Sequence, residues 1–182
     1  MRRAPVVVLL AVLVVVPAVV SAQPPGGNPI SKSIAQAWEG AKSNVKASAD
    51  MMPEANYAFK PVDTVRTYGQ ILAHLAGANY VFCAAAKGEK APHAEDEFEK
   101  TATTKAAIVK ALDASLAYCD AVYGGMTDAR AAEAVDMPFG MGKGTRSLLL
   151  MGNTGHVQEH YGNIVTYLRI KGLVPPSSAP RR

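Results

Sequence analysis

The chain has 182 residues, with 19 Lys and Arg against 15 Asp and Glu, a formal charge of +4 and two cysteines. Its basic residues are scattered rather than grouped with aromatics, which argues against a nucleic-acid groove. Walker spacing, a G-x-S-x-G elbow and internal repeats are all missing, so the common nucleotide-binding and serine-hydrolase readings fall away.

Arg2 and Arg3 precede an almost unbroken apolar run from Ala4 to Val20, and Val20-Ser21-Ala22 offers small residues for cleavage before Gln23. Residues 1–22 therefore read as a signal peptide. The mature chain is expected to be exported, periplasmic or extracellular, with no stable membrane insertion after cleavage. The run is marginally short for a membrane span, and an uncleaved anchor is the competing reading. One domain is expected over 23–176, long enough for a real hydrophobic core, with 177–182 a disordered tail.

Strand signals are weak, whereas a period of about 3.6 residues recurs in four stretches. The first opens at Asn28, an N-cap type, with Pro29 at the first helical position. Ile30, Ile34, Ala37, Trp38, Ala41 and Val45 form its stripe. The second is announced by Thr67-Tyr68-Gly69-Gln70, a capping-box pattern, and carries Tyr68, Ile71, Leu72, Leu75, Asn79 and Phe82 before Gly88. The third starts near Thr103 or Thr104 and closes at Gly124-Gly125. Its stripe includes Ile108, Leu112, Leu116, Cys119 and Val122. The fourth runs from about Arg146 to Lys171, with Gly172 as its stop.

Four amphipathic helices argue for an all-α fold, a four-helix bundle. The second and third are separated by about 16 residues, where antiparallel neighbours need about 2–8, so these two helices are expected to run parallel with a long crossover between them. Cys83 and Cys119 then fall at matching depth. In an oxidising compartment they are a disulfide candidate, and two buried free thiols are the alternative.

His156 and His160 stand at i and i+4 in HVQEH on the fourth helix, on one face. They occupy the apolar seam, flanked by Asn153 and Asn163, where a bundle wants leucine or alanine. Buried polar groups need partners, which either a shared metal ion or a wet hydrogen-bonded pair would supply. Gly152, Gly155 and Gly162 are expected to thin the helix there and admit a neighbour. His74, on the edge of the second helix's arc, is the candidate third ligand, with Gly77 leaving space beside it. Glu159, next to both seam histidines, is the candidate acid/base. His93 reads as a solvated loop residue, and the glycine-rich segment 137–144 reads as a flap with Arg146 near its hinge.

TYGQILAHLAGANY around His74 and HVQEHYGNIVTYLRIKGLVPP around the histidine pair resemble the DinB/YfiT-like superfamily over nearly the whole mature chain. That resemblance implies an up-down-down-up bundle with metal ligands His74, His156 and His160. It also implies a divalent cation, zinc, nickel or iron, and a metal-dependent hydrolase or a thiol-type transferase acting on a small molecule. The alternative is a non-catalytic exported metal-binding or interaction bundle. A homodimer is compatible with such a fold, although no exposed apolar stripe demands one.

Overall fold

The computed structural model describes residues 27–180, and the expected leader lies outside the described residues. Helix α1 (Pro29–Met51) leads through a single turn to α2 (Tyr68–Lys87). A short helix, α3 (Glu97–Thr101), interrupts the crossover to α4 (Lys105–Gly124). Then come α5 (Asp128–Ala131), an antiparallel hairpin of β1 (Ala134–Asp136) and β2 (Lys143–Thr145), and α6 (Arg146–Ile170). The four long helices are those the periodicity predicts; α3, α5 and the hairpin are additions.

Side-chain pairs set the chain directions. Along α2 and α4 the partners rise together: Gly69 lies against Ile108, Asn79 Nδ2 donates to Ser115 Oγ at 3.1 Å, and Cys83 is bonded to Cys119. These helices are therefore parallel. Helix α1 opposes α4, because Trp38 and Lys42 reach Asp120 whereas Lys46 reaches Asp113. Helix α6 opposes α2, with Asn153 beside Cys83 and His156 beside His74. The bundle is up-down-down-up.

Local chemistry explains where the helices start. Thr67 Oγ1 accepts from the Gln70 N–H while Gln70 Oε1 accepts from the Thr67 N–H, so both halves of the capping box form. Thr104 and Thr145 cap α4 and α6 with the threonine half alone, accepting from the N–H groups of Ala107 and Leu148. At α1 the expectation needs correction. Asn28 holds the N-cap position, but its side chain accepts from the Asp128 N–H. The Asp128 carboxylate in turn accepts from the N–H groups of Ile30 and Ser31, at 3.2 and 2.8 Å. A full negative charge complements a helix N-terminus better than a neutral amide, and α5 is placed to deliver it.

The core is aromatic as well as aliphatic. Trp38 stacks on Tyr123 at 4.6 Å between centroids, and the hydroxyls of Tyr57, Tyr68 and Tyr123 donate to the carbonyls of Ala49, Ser48 and Leu150. Each ring is thus buried with its polar end satisfied. Ile34, Trp38, Ala41 and Val45 of the first stripe are buried, but Ile30 is 61% exposed and Ala37 also faces solvent. Part of the expected disordered tail is held: Pro176–Ser178 form a 3-10 turn, and Tyr161 OH donates to Ser177 Oγ at 2.8 Å. Among the described residues no helix is long and apolar enough to cross a membrane.

The crossover packs directly onto α2. A Cβ added at Gly77 would stand 1.9 Å from the Glu95 carbonyl oxygen, a gap that only glycine permits. Gly77→Ala is expected to push the crossover outward and lower the unfolding free energy by about 1–3 kcal/mol, measured from denaturant midpoints. The Cys83–Cys119 bridge closes a separation of 36 residues. Replacing both cysteines with alanine should cost about 4 kcal/mol on the loop-entropy relation, and reducing the native chain should raise its intact mass by two hydrogens.

Candidate metal centre

His74 sits on α2, 6% exposed, opposite the α6 pair. His156 and His160, one turn apart, are half-buried. His156 Nε2 lies 3.1 Å from His74 Nε2 and 3.1 Å from His160 Nε2. The ligand atoms of the three residues all fall within 4.8 Å of one another, a group that could hold a metal ion. The rings meet edge-on, with centroids 4.5 to 5.1 Å apart.

The donor set fits a divalent cation on two grounds. Each imidazole nitrogen has one in-plane site holding either a proton or a lone pair, so His156 Nε2 makes one ordinary hydrogen bond and not two. Protons alone leave one of its two short contacts without a bond. A cation bound at about 2.0–2.1 Å by imidazole separates tetrahedral ligand atoms by roughly 3.3 Å, close to the spacing His156 Nε2 already has from each of its two neighbours. Protonation state agrees. Burial lowers the pKa of all three rings, and neighbouring His160, His74 and Arg66 add to burial in pushing His156 down to about 4. Neutral rings are the ligating form.

Around His74 the crossover supplies a carboxylate that the sequence reading did not single out. His74 Nδ1 lies 3.1 Å from Glu99 Oε1 and 3.8 Å from Glu95 Oε1. Glu99 also accepts from Arg66 Nε at 2.9 Å and Nη2 at 3.3 Å, and Tyr167 OH pins the Arg66 carbonyl at 2.7 Å. A proton held on His74 Nδ1 by Glu99 leaves the Nε2 lone pair facing the other rings, the tautomer a ligand needs. Nδ1 of His156 and of His160 are buried without a partner among the described residues. Beside the cluster opens a pocket of about 440 Å³ lined by Thr64, Arg66, His160, Asn163, Thr166 and Tyr167, among others.

A family model described as the DinB superfamily matches residues 37–164. The chain belongs to the DinB superfamily. A DinB-like protein from Bacillus cereus superposes with a TM-score of 0.67 at 19% identity, covering 80% of this chain and 95% of that one. A DinB-like protein from Bacillus subtilis gives 0.64 at 21% identity, over 82% and 99%. The mycothiol-dependent maleylpyruvate isomerase gives 0.62 at 16%, over 74% of this chain and 60% of its own. At such identities the likeness carries the DinB fold alone. No curated protein matches the chain.

Within this DinB bundle several expected roles change. Glu159 is exposed and stands outside the cluster; it touches His160 only through its charge. Three positions after His156 and one before His160, it is rotated off the seam at about 100° per residue. His93 is not solvated but half-buried, packed at a tilt against Tyr80 and Phe98 at 4.7 and 4.9 Å between centroids, with Nδ1 2.9 Å from Glu97 Oε1. Gly155 and Gly162 face open space, and Gly152 has only Phe82 at 3.9 Å from an added Cβ. The close approach occurs at Gly77 instead. Asn153 is buried beside Tyr123, whereas Asn163 is exposed at the pocket.

Segment 137–144 belongs to the hairpin rather than to a free flap. Its Phe139, at φ 58, meets Phe82 edge-to-face at 5.7 Å between centroids, and the Phe82 ring lies 5.8 Å from that of His156. Arg146 is a tether and not a hinge: it bonds the Ala86 carbonyl and Glu133. Glu99→Gln is expected to weaken divalent-cation affinity by about 10–100-fold, measured by competition with a chromophoric chelator, while Glu159→Gln leaves it unchanged.

Proposed function

We propose that this DinB protein is an exported metal-dependent enzyme. It holds one divalent cation through His74, His156 and His160 and acts on a small molecule entering from the Arg66 side. The observation that supports this most is the convergence of three neutral Nε2 atoms, with one short contact that protons leave unbonded, beside an open pocket that carries Arg66, Thr64, Asn163 and Thr166. Three imidazole donors suit zinc, nickel or iron(II), and three protein ligands leave coordination positions free, as in catalytic rather than structural sites.

When bound, such a cation supplies Lewis acidity toward water, a carbonyl or a thiol. The chain does the rest. Burial keeps the rings unprotonated, and Glu99 fixes the His74 proton on Nδ1. Thr64, Asn163 and Thr166 offer hydrogen bonds along the pocket wall. Hydrolysis and thiol-type transfer are the reaction classes this arrangement serves. A sealed site would have favoured a non-catalytic metal-binding bundle; the opening beside His160 favours turnover. Export draws support from the Cys83–Cys119 bridge, since such bonds persist in oxidising compartments.

Elemental analysis of purified protein tests the centre. His74→Ala, His156→Ala and His160→Ala should each lose most of the bound metal, and His93→Ala should keep it. Stoichiometric metal in all three cluster variants would overturn the assignment. Turnover of ester, amide and thiol-acceptor panels, abolished by chelator and restored by metal, would establish the enzyme reading.

A further inference from the structure

The pocket beside His160 has an uneven charge. Of the residues that line it, Arg66 is the cationic one and none is acidic; the remainder are Thr64, Thr166, Asn163, Tyr167, His160 and apolar side chains. Arg66 is also braced from one side. Its backbone carbonyl accepts from Tyr167 OH, and Glu99 accepts from its Nε and one Nη2 hydrogen. That buttress leaves Nη1 without a partner among the described residues, on a side chain still 43% exposed. A guanidinium braced on one edge presents the other edge in a fixed orientation, which cuts the ordering cost of binding an anion.

The local balance favours an anion further. Glu99 shares its one negative charge between Arg66 and His74. Three neutral imidazoles do nothing to offset a divalent cation, so a loaded centre keeps an excess of positive charge facing the pocket. The hydroxyls of Thr64 and Thr166 and the Asn163 amide in the same lining suit a ligand that needs hydrogen bonds as well as charge.

Resting on the metal-centre reading above, we propose that the ligand is a small carboxylate. Its carboxylate group pairs with the free edge of Arg66, and its reacting part is thereby directed at the three-histidine cluster. Arg66 is a substrate-binding residue in this scheme, distinct from the ligands that hold the cation.

Cobalt(II)-loaded protein provides the test, because its visible absorption reports ligands arriving near the metal. Titration of the wild-type chain with propionate should shift the spectrum saturably, while neutral propionamide should not. Arg66→Met should retain stoichiometric cobalt but bind propionate about tenfold or more weakly, the loss expected for one charge-assisted pair. Arg66→Lys, which keeps the charge but not the fork, should fall between the two. Equal propionate affinity in wild type and Arg66→Met would overturn the proposal. So would loss of cobalt by Arg66→Met, which would show that the arginine acts only through Glu99. Failure of the wild-type chain to take up cobalt would instead remove the metal-centre reading, and the carboxylate site with it.

Discussion

Parallel neighbouring helices impose a constraint that antiparallel ones do not. A chain leaving the end of α2 must travel back along its whole length, about 30 Å for 20 residues, before α4 can start beside it. Residues 88–104 make that journey, and they do so against α2 rather than through solvent, because Gly77 has no Cβ to hold them off. The return path therefore passes next to the turn of α2 that bears His74. Glu95 and Glu99 arrive at the imidazole as a consequence of topology. The disulfide between Cys83 and Cys119 locks the same pair of parallel helices further along. One connection thus serves the fold and the second layer of the site together.

Within the cluster, two opposing effects set the state of the rings. Burial and mutual proximity disfavour the imidazolium form in all three. Glu99 and Glu95 pull the other way at His74, and Arg66 opposes them. The lowering wins at every ring. The result is a set of lone-pair donors held at close quarters without charge, which costs hydration and leaves short nitrogen contacts that hydrogen bonds among the rings do not all satisfy. A soft-to-borderline cation offsets that cost in one step. Arg66 and Glu99 neutralise each other nearby, so the centre is pre-organised without being acidic, unlike a carboxylate-rich site for calcium or magnesium.

Much of this was legible in the residues. Period, caps and the H-x-x-x-H spacing locate the four helices and the pair on α6, and the long gap between the second and third helices implies their parallel order. What escaped has a common cause. The stretch KGEKAPHAEDEFEK is charged and lacks an apolar period, so nothing in it announces α3 or singles out Glu99. Glu159 is adjacent to the histidines in sequence, but helical rotation carries it off the seam. The three glycines of α6 looked like sites of close approach, yet the contact that needs a glycine is made by Gly77, whose partner is backbone from another segment. Sequence spacing reports neighbours along one helix well; it says little about what a distant crossover brings to the same point.

The disulfide also bears on which chemistry the pocket serves. Thiol-dependent reactions need a reduced low-molecular-weight thiol, and such cosubstrates are chiefly cytosolic. A buried bridge between two long helices suits the export proposed above, since cytosolic reductants keep structural cysteines as thiols. The mycothiol-dependent isomerase that superposes on this chain shares its helices at 16% identity, a level that transfers the scaffold and leaves the cosubstrate behind. Water, by contrast, is available wherever the chain resides. A cation held by His74, His156 and His160 would activate water, and ester or amide cleavage would then need no further reagent. Under the proposed function, the bridge therefore supports hydrolysis over thiol-type transfer.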